Sequence, residues 1–340
     1  MNSNPSDAAP ETVLRAGIVG FGCMGRRHLH GYRAIPGVQV AGAVCRSEAT
    51  AERARREFGL DAYRTVEELM QNAGPSAVSI CTPTDLHARH AIECIRRGAH
   101  ALVEKPLAAT EDEARAVIEE SARAGVKLMA GHTNLYSGAI LKMMAMTGRG
   151  IIGDVREIHF KKEGADVSPG DVEKGLHLAP PAGDGEVRDR LYDSLIHMVY
   201  CVDKAAGAPP ARVRTFTLGG RRYEESLESE VVYRNGVVAR LTVEASLDRQ
   251  LKKTFTVAGT RGTLVWRLQG GRESLELSNA ARTRPVAFRP AHVFDSIVFY
   301  FVHFIRNDLP PYSDGNDGLK AMITSRAVVD SHLRNAEVLL

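Results

Sequence analysis

The chain is poor in aromatic residues, which make up 6% of its 340 positions and include a single tryptophan, Trp266. It lacks any run of roughly eighteen apolar residues, which excludes a membrane-spanning helix. It also lacks charge of one sign. Its 44 basic residues against 41 acidic leave a formal +3, interspersed as in Arg53-Ala54-Arg55-Arg56-Glu57. No concentrated field stands ready for nucleic acid or a membrane surface, so solvated helix faces are the reading. The five cysteines, Cys23, Cys45, Cys81, Cys94 and Cys201, are scattered, with no C-x-x-C spacing. Odd number and missing pattern argue against a disulfide framework or a zinc centre and for reduced thiols in a cytoplasmic protein. The opening MNSNPSDAAP has no apolar core, so residues 1–12 are expected to form a disordered tail and not a signal peptide. What remains is 44% apolar, enough for a large core, and a length that suggests about two domains.

An apolar run, Ala16, Ile18 and Val19, leads into Gly20-Phe21-Gly22-Cys23-Met24-Gly25, and His28, Leu29, Tyr32 and Ile35 then share one helical face. Strand, tight turn and helix follow from that pattern. Each glycine has a separate use. Gly20 reverses the chain, Gly22 lets bare backbone approach a pyrophosphate, and Gly25 lets the helix pack close to the strand. Free N–H groups at the helix start face the anion. An ordinary glycine turn would match the motif alone, so its context matters.

That context is an alternation of elements. Strands are predicted at Val38–Val44, Ala77–Cys81, Ala99–Val103 and Val126–Ala130, with helices at Ala49–Phe58, Leu86–Arg97 and Glu111–Ala124. Such alternation implies a doubly wound parallel sheet. Thr110 with Glu113 forms a capping-box pair, and Gly98 and Gly125 stop their helices. Pro83 ends its strand at the carboxyl edge of the sheet, where such folds hold ligands, so Thr82, Pro83 and Thr84 are expected near the nicotinamide. Beyond residue 131 the pattern changes to a helix at Tyr136–Met146, a strand at Val155–Lys162, a Gly/Pro/Asp-rich stretch at Gly164–Gly185, and a helix at Arg190–Ala205. Strands at Ser229–Tyr233 and Val237–Ala245 flank Arg234-Asn235-Gly236, which suits a type I′ hairpin, and more follow at Phe255–Ala258 and Thr263–Leu268. An antiparallel sheet is therefore appended. Helices at Val293–Ile305 and Gly318–Leu333 either cover that sheet or return to the first domain.

Two constellations can carry chemistry. Glu104-Lys105-Pro106 lies past a predicted strand at the ligand edge, and proline extends the preceding residue, aiming Lys105 outward. A lysine there can bond a reacting hydroxyl and pass a proton; a surface ion pair of Glu104 is the equal alternative. Asp193 and His197 stand four residues apart on one helix face, as orienter and acid/base or as a structural pair. The histidines His28, His30, His87 and His90 have no acidic or cysteine partners that would complete a metal site, and none is expected. Met143, Met144 and Met146 read as core filling, and Trp266 as sheet packing.

The glycine turn, Cys81-Thr82-Pro83-Thr84 followed by His87, Glu104-Lys105-Pro106, Gly131-His132 and the Asp193/His197 helix together resemble the Gfo/Idh/MocA family in order and spacing, continuously from about Arg15 to Tyr136 and more thinly beyond. The resemblance implies an α/β fold: an N-terminal Rossmann domain, residues 13–131, and a C-terminal α/β domain, residues 132–340, with a large open antiparallel sheet that often mediates homo-oligomers. It implies an NAD- or NADP-dependent dehydrogenase or reductase acting on a secondary hydroxyl or ketone of a sugar, polyol or related ring. Lys105 matches the family's lysine at the reacting hydroxyl, His197 its acid/base and Asp193 its partner. Gly20, Phe21, Gly22, Cys23, Met24, Gly25, Thr82, Pro83, Thr84, His87, Glu104 and Lys105 are then expected at the cofactor, and His132, Asn134, Arg188, Tyr192, Asp193 and His197 at the substrate. The family also includes hydrolases that retain NAD. A non-redox enzyme using its cofactor transiently and a dinucleotide sensor are therefore the alternatives, although a sensor needs neither Lys105 nor the Asp193/His197 pair.

Three positions depart from the family's pattern. No acidic residue follows the second strand about 20 residues beyond the glycine turn; Arg46 and Ser47 stand there, which favours NADP, unless Glu48 turns inward and serves NAD. Val187-Arg188-Asp189 replaces glycines before the Asp193/His197 helix, and Leu135-Tyr136 replaces the family's arginine and phenylalanine. The substrate is left undefined.

Overall fold

The first strand, β1 (Leu14–Val19), is almost wholly buried, and the chain winds outward from it and then back. A computed structural model describes residues 13–164, 184–219, 226–244 and 250–340; the side chains of residues 184–194 and 217–219 lie outside that description, as does the expected tail. After β1 come α1 (Cys23–Arg33), β2 (Val38–Val44), α2 (Glu48–Phe58), β3 (Ala62–Tyr63), α3 (Val66–Ala73), β4 (Ala77–Ile80), α4 (His87–Ile95), β5 (His100–Glu104), α5 (Glu111–Ala124) and β6 (Leu128–Gly131). The six strands pair in parallel in the order β3-β2-β1-β4-β5-β6. The order reverses between β1 and β4, and the crevice at such a reversal is where doubly wound sheets hold ligands.

The second sheet follows α6 (Gly138–Gly148). It is built from β7 (Val155–Glu163), then, after α7 (Asp184–Ala206), β8 (Pro210–Gly219), β9 (Ser226–Tyr233), β10 (Val238–Glu244), β11 (Lys252–Gly259), β12 (Thr263–Gln269), β13 (Arg272–Ser278) and β14 (Thr283–Pro285). Helices α8 (Val293–Arg306) and α9 (Gly315–Arg334) and a short β15 (Val338–Leu339) close the chain. The nine strands run β14-β13-β12-β11-β7-β10-β9-β8-β15, antiparallel except for the β7–β10 pair. Burial alternates along them because one face is covered: α6 packs on β12 and β13, α7 on β7 and β10, and α9 caps β8 through Ser331 Oγ, which accepts from Thr215 N. Phe160, Phe255 and Trp266 stack across three strands of that face, with centroids 5.0 and 6.1 Å apart, in the offset and edge-on arrangements aromatic rings favour.

The chain forms two compact units, one up to His132 together with His292–Leu319, the other Thr133–Ala291 with Lys320–Leu340. Of the two destinations open to the last helices, α8 takes the first unit. Gly31 of α1 faces it so closely that a Cβ would lie 3.2 Å from Val298, and Arg27 lies over the Phe294 ring at 4.4 Å. Farther on, Ser313 O accepts from Ala130 N, and Asp308 pairs with Lys127 at 2.8 Å. Among the described residues no helix is long and apolar enough to cross a membrane.

The hairpin at residues 234–236 forms, with a different turn. A type I′ turn needs positive φ at two successive residues, and only Gly236 has it, at 83°. Tyr233 N donates to Val237 O and Gly236 N to Tyr233 O, so three residues make the link, a type I turn ended by a left-handed glycine.

Candidate functional site

The glycine turn is shaped by what each position meets. Gly20 has φ 95°, and a Cβ there would lie 2.7 Å from Cys81 O and 2.8 Å from Thr82 N, so the turn presses against the loop that follows β4. A Cβ on Gly25 would overlap Gly20 O, which is why α1 can start directly against β1. Gly22 is the opposite case, with nothing within 4 Å of its Cβ position. Phe21 turns its ring inward, edge-on to Phe58 at 5.3 Å, so only its backbone belongs to the turn.

The N-terminus of α1 stands apart from those of α2, α3 and α5. Ser47, Thr65 and Thr110 cap α2, α3 and α5 with their side chains, and each of those helices has acidic residues in its first turn. Helix α1 begins at Gly22 with no side-chain cap and no acidic residue in that turn. Its orphan N–H groups and the positive end of its dipole face open space over Gly22, a cradle that fits the pyrophosphate of a dinucleotide. Cys23 is exposed and Met24 half-buried in this first turn.

At the end of β2, Arg46 is exposed. Ser47 spends its oxygen on α2, accepting from Thr50 N at 3.2 Å and lying 2.9 Å from the Thr50 hydroxyl. Glu48 is drawn to Arg55 at 3.0 Å and to Arg64 at 3.7 Å.

The carboxyl ends of β4 and β5 are tied together by buried polar groups. Glu104 Oε1 is 3.0 Å from His28 Nε2, His28 Nδ1 is 2.9 Å from Ser79 Oγ, and Ser79 Oγ is 2.9 Å from Tyr32 OH. The other Glu104 oxygen accepts the Lys105 N–H at 3.3 Å. Burial opposes a charged His28, but Cys81 and Glu104 outweigh it and raise the imidazole to about 10. Burial, the largest effect, raises the Cys81 thiol as well, against the lowering pull of His28 beside it. Gly131 lets β6 run against this corner, since a Cβ there would lie 2.8 Å from Glu104 Cα. Lys105 is half-buried, and its bond to Pro106 is cis. Thr82 is half-buried, Pro83 exposed and Thr84 the first residue of a short 3-10 turn.

His87 departs from the expected cofactor contact. It is buried, and both ring nitrogens face backbone carbonyls, Pro106 O at 2.7 Å and Thr82 O at 2.8 Å. His132 is buried too, with Nδ1 2.7 Å from Ser313 Oγ.

In the second unit, Asn134, His197 and Tyr200 come together. Asn134 N donates to Tyr200 OH at 3.0 Å, Asn134 Nδ2 donates to His197 O at 3.3 Å, and Tyr200 OH lies 3.2 Å from His197 Nδ1. The Tyr200 oxygen has two lone pairs, so besides accepting from Asn134 N it can accept from His197 Nδ1–H, the tautomer in which Nε2 carries the lone pair of the neutral ring. Sequence reasoning missed Tyr200; its place three residues after His197, on one face of α7, was the available signal. Arg188, Tyr192 and Asp193 stand in α7, and their side chains lie outside the described residues. Among the described residues no group of three or more His, Cys, Asp or Glu side chains could hold a metal.

A parallel sheet whose switch point carries an uncapped glycine turn, joined to a second unit with an open sheet, defines the class: a dinucleotide-dependent oxidoreductase of two-unit build. Residues 14–132 match the Gfo/Idh/MocA model, that of the oxidoreductase family with an NAD-binding Rossmann fold, and the chain is similar to proteins named as dehydrogenases and reductases. It is 26% identical over 319 residues to 1,5-anhydro-D-fructose reductase of Ensifer adhaerens, covering 93% of this chain and 95% of that one. Among solved structures, scyllo-inositol dehydrogenase of Lactobacillus casei with bound NAD(H) and scyllo-inositol superposes at TM-score 0.79 with 19% identity, over 96% of this chain and 99% of that one. An oxidoreductase of Agrobacterium radiobacter in complex with NAD+, L-tartaric acid and magnesium does so at 0.80 with 17% identity, over 96% and 98%. At these identities the structures share the fold.

The His28–Glu104 pair has a pH signature. Folded His28 holds its proton more tightly than the unfolded chain does, so its contribution is complete below pH 6.5 and is lost as pH rises toward about 10. Thermal unfolding followed across that window should show this loss in the wild type and a flatter profile in His28→Leu. At neutral pH the variant should lose about 3–5 kcal/mol, because Glu104 is left buried without its partner. Superimposable profiles would remove the ion pair from the account.

Proposed function

We propose that the chain is an NADP-dependent oxidoreductase that moves a hydride between the nicotinamide and a secondary alcohol or ketone of a sugar, polyol or related ring. The observation that carries the reading is Lys105 at the carboxyl end of β5, its backbone N–H held by Glu104 and Glu104 held in turn by His28. The names of similar proteins, a reductase of 1,5-anhydro-D-fructose and a dehydrogenase of scyllo-inositol among them, support the substrate class.

The cofactor fits the first unit, with the α1 N-terminus and the backbone from Gly20 to Gly25 receiving the pyrophosphate, and Thr82, Pro83, Thr84, Glu104 and Lys105 flanking the nicotinamide end. When bound, it supplies or accepts the hydride. Lys105 or His197 takes the proton of the reacting hydroxyl, and returns it when a ketone is reduced. For His197 that transfer runs through Nε2, because Tyr200 engages Nδ1. Asp193, Asn134, His132, Arg188 and Tyr192 complete the substrate contacts in this reading. The choice of NADP rests on Arg46: Glu48, the carboxylate that follows it after β2, is engaged by Arg55 and Arg64, while the exposed guanidinium suits a 2′-phosphate. The open face of the second sheet, where Glu157, His159, Glu228, Glu230 and Arg240 line a cavity of about 410 Å³, is the surface we assign to self-association.

Fluorescence titration should give micromolar NADPH binding and weaker NADH binding. Arg46→Ala should weaken NADPH by about ten-fold and leave NADH within about two-fold, since it removes one charge-assisted contact. An NADH preference in the wild type would reverse the cofactor choice; binding of neither dinucleotide by folded, cofactor-free protein would overturn the proposal. Once a sugar or polyol substrate is found, Lys105→Met should lower kcat by about a hundred-fold or more, with dinucleotide Kd within about three-fold. Unchanged turnover would remove Lys105 from the chemistry.

A further inference from the structure

His87, the first residue of α4, is 1% exposed, and both ring nitrogens lie at hydrogen-bond distance from backbone carbonyl oxygens. A carbonyl oxygen only accepts. A neutral imidazole has one N–H, so it satisfies one carbonyl and turns a lone pair toward the other. Only the imidazolium donates to both. The carbonyls belong to different loops: Thr82 O lies in the loop after β4, and Pro106 O follows Lys105 in the loop after β5.

We infer that His87 is a positioning residue which, as an imidazolium, staples the Thr82-Pro83-Thr84 loop to the Glu104-Lys105-Pro106 loop and so sets the spacing of the groups that flank the nicotinamide end. The inference rests on the cofactor placement proposed above. Loss of the proton breaks one of the two ties and turns that contact repulsive. The ionisable groups around the ring are Asp85 in the turn before it, Arg89 and His90 on α4, and Glu104 and Lys105 beside Pro106. His90 is itself held below the ordinary histidine range, first by burial and then by Arg89 and His87. Thr82 is held a second time, its hydroxyl lying 3.4 Å from His90 Nδ1, which fixes one side of the staple independently of the His87 ring.

Long-range proton–nitrogen NMR of histidine-labelled protein reads the ring directly. Raising the pH should take His87 from two protonated nitrogens to one, and NADPH Kd should rise by about five-fold with that step, the worth of one buried hydrogen bond. In His87→Leu, which donates to neither carbonyl, Kd should be weaker than in the wild type by about five-fold or more at low pH and should lack that step. The difference between the two proteins cancels titration of the ligand's own phosphate. A bare ring nitrogen at every pH, or equal pH slopes in wild type and variant, would overturn the inference. Absence of NADPH binding at every pH would overturn the proposed function instead, and the ring spectrum would still decide whether His87 is doubly protonated.

Discussion

The first unit is organised around a helix, α1, that begins over open space at a glycine turn with no side-chain cap. The opening N–H groups of a helix need acceptors, and an N-cap lost to alanine costs about 1 kcal/mol. At α2, α3 and α5 the sequence meets that need with Ser47, Thr65 and Thr110. At α1 it leaves the need open, at the point where the sheet reverses its order. Gly20 and Gly25 bring the turn against β1 and β4, and Gly22 keeps the space above it clear. In the proposed function the acceptor comes from outside, as the pyrophosphate of the cofactor.

That arrangement has to be held rigid at the adjoining strand ends, and buried polar contacts do the holding. Glu104, His28, Ser79 and Tyr32 form a chain from β5 through α1 to β4, so the helix that offers its N-terminus and the strand that offers Lys105 are joined by one network. Such a network stabilises only if every member is satisfied, which the alternation of donors and acceptors achieves here. Behind it, α8 packs on α1 through Gly31, so the C-terminal part of the chain supports the element that carries the turn.

The parallel unit was legible because its signals are local. The capping box at Thr110 and Glu113 forms as its spacing implies, and β2 and α5 fall on their expected residues. The short β3 and α3 escaped notice although Thr65 and Glu68 carry the same capping signature. In the second sheet β8 was hidden by its composition. Thr215 is buried, bonding Ser229 and Val328 O, while Phe216 is 47% exposed, so the hydrophobic alternation runs against the true faces. At the site, the position of Lys105 could be read from a tripeptide, but the partners could not. His28 and Glu104 are 76 residues apart, and His87 and Pro106 are 19, separations that only the folded sheet closes.

The most direct test of the central claim is dinucleotide binding by Gly22→Asp. Gly22 has extended backbone angles and open space at its Cβ position, so aspartate fits without strain, caps α1 and places a carboxylate where the pyrophosphate would lie. The account predicts a variant at least as stable as the wild type in thermal unfolding, with NADPH binding weakened by about a hundred-fold or more. A stable variant that binds NADPH as the wild type does would contradict it, because the uncapped helix would then be a structural turn and not the seat of the cofactor.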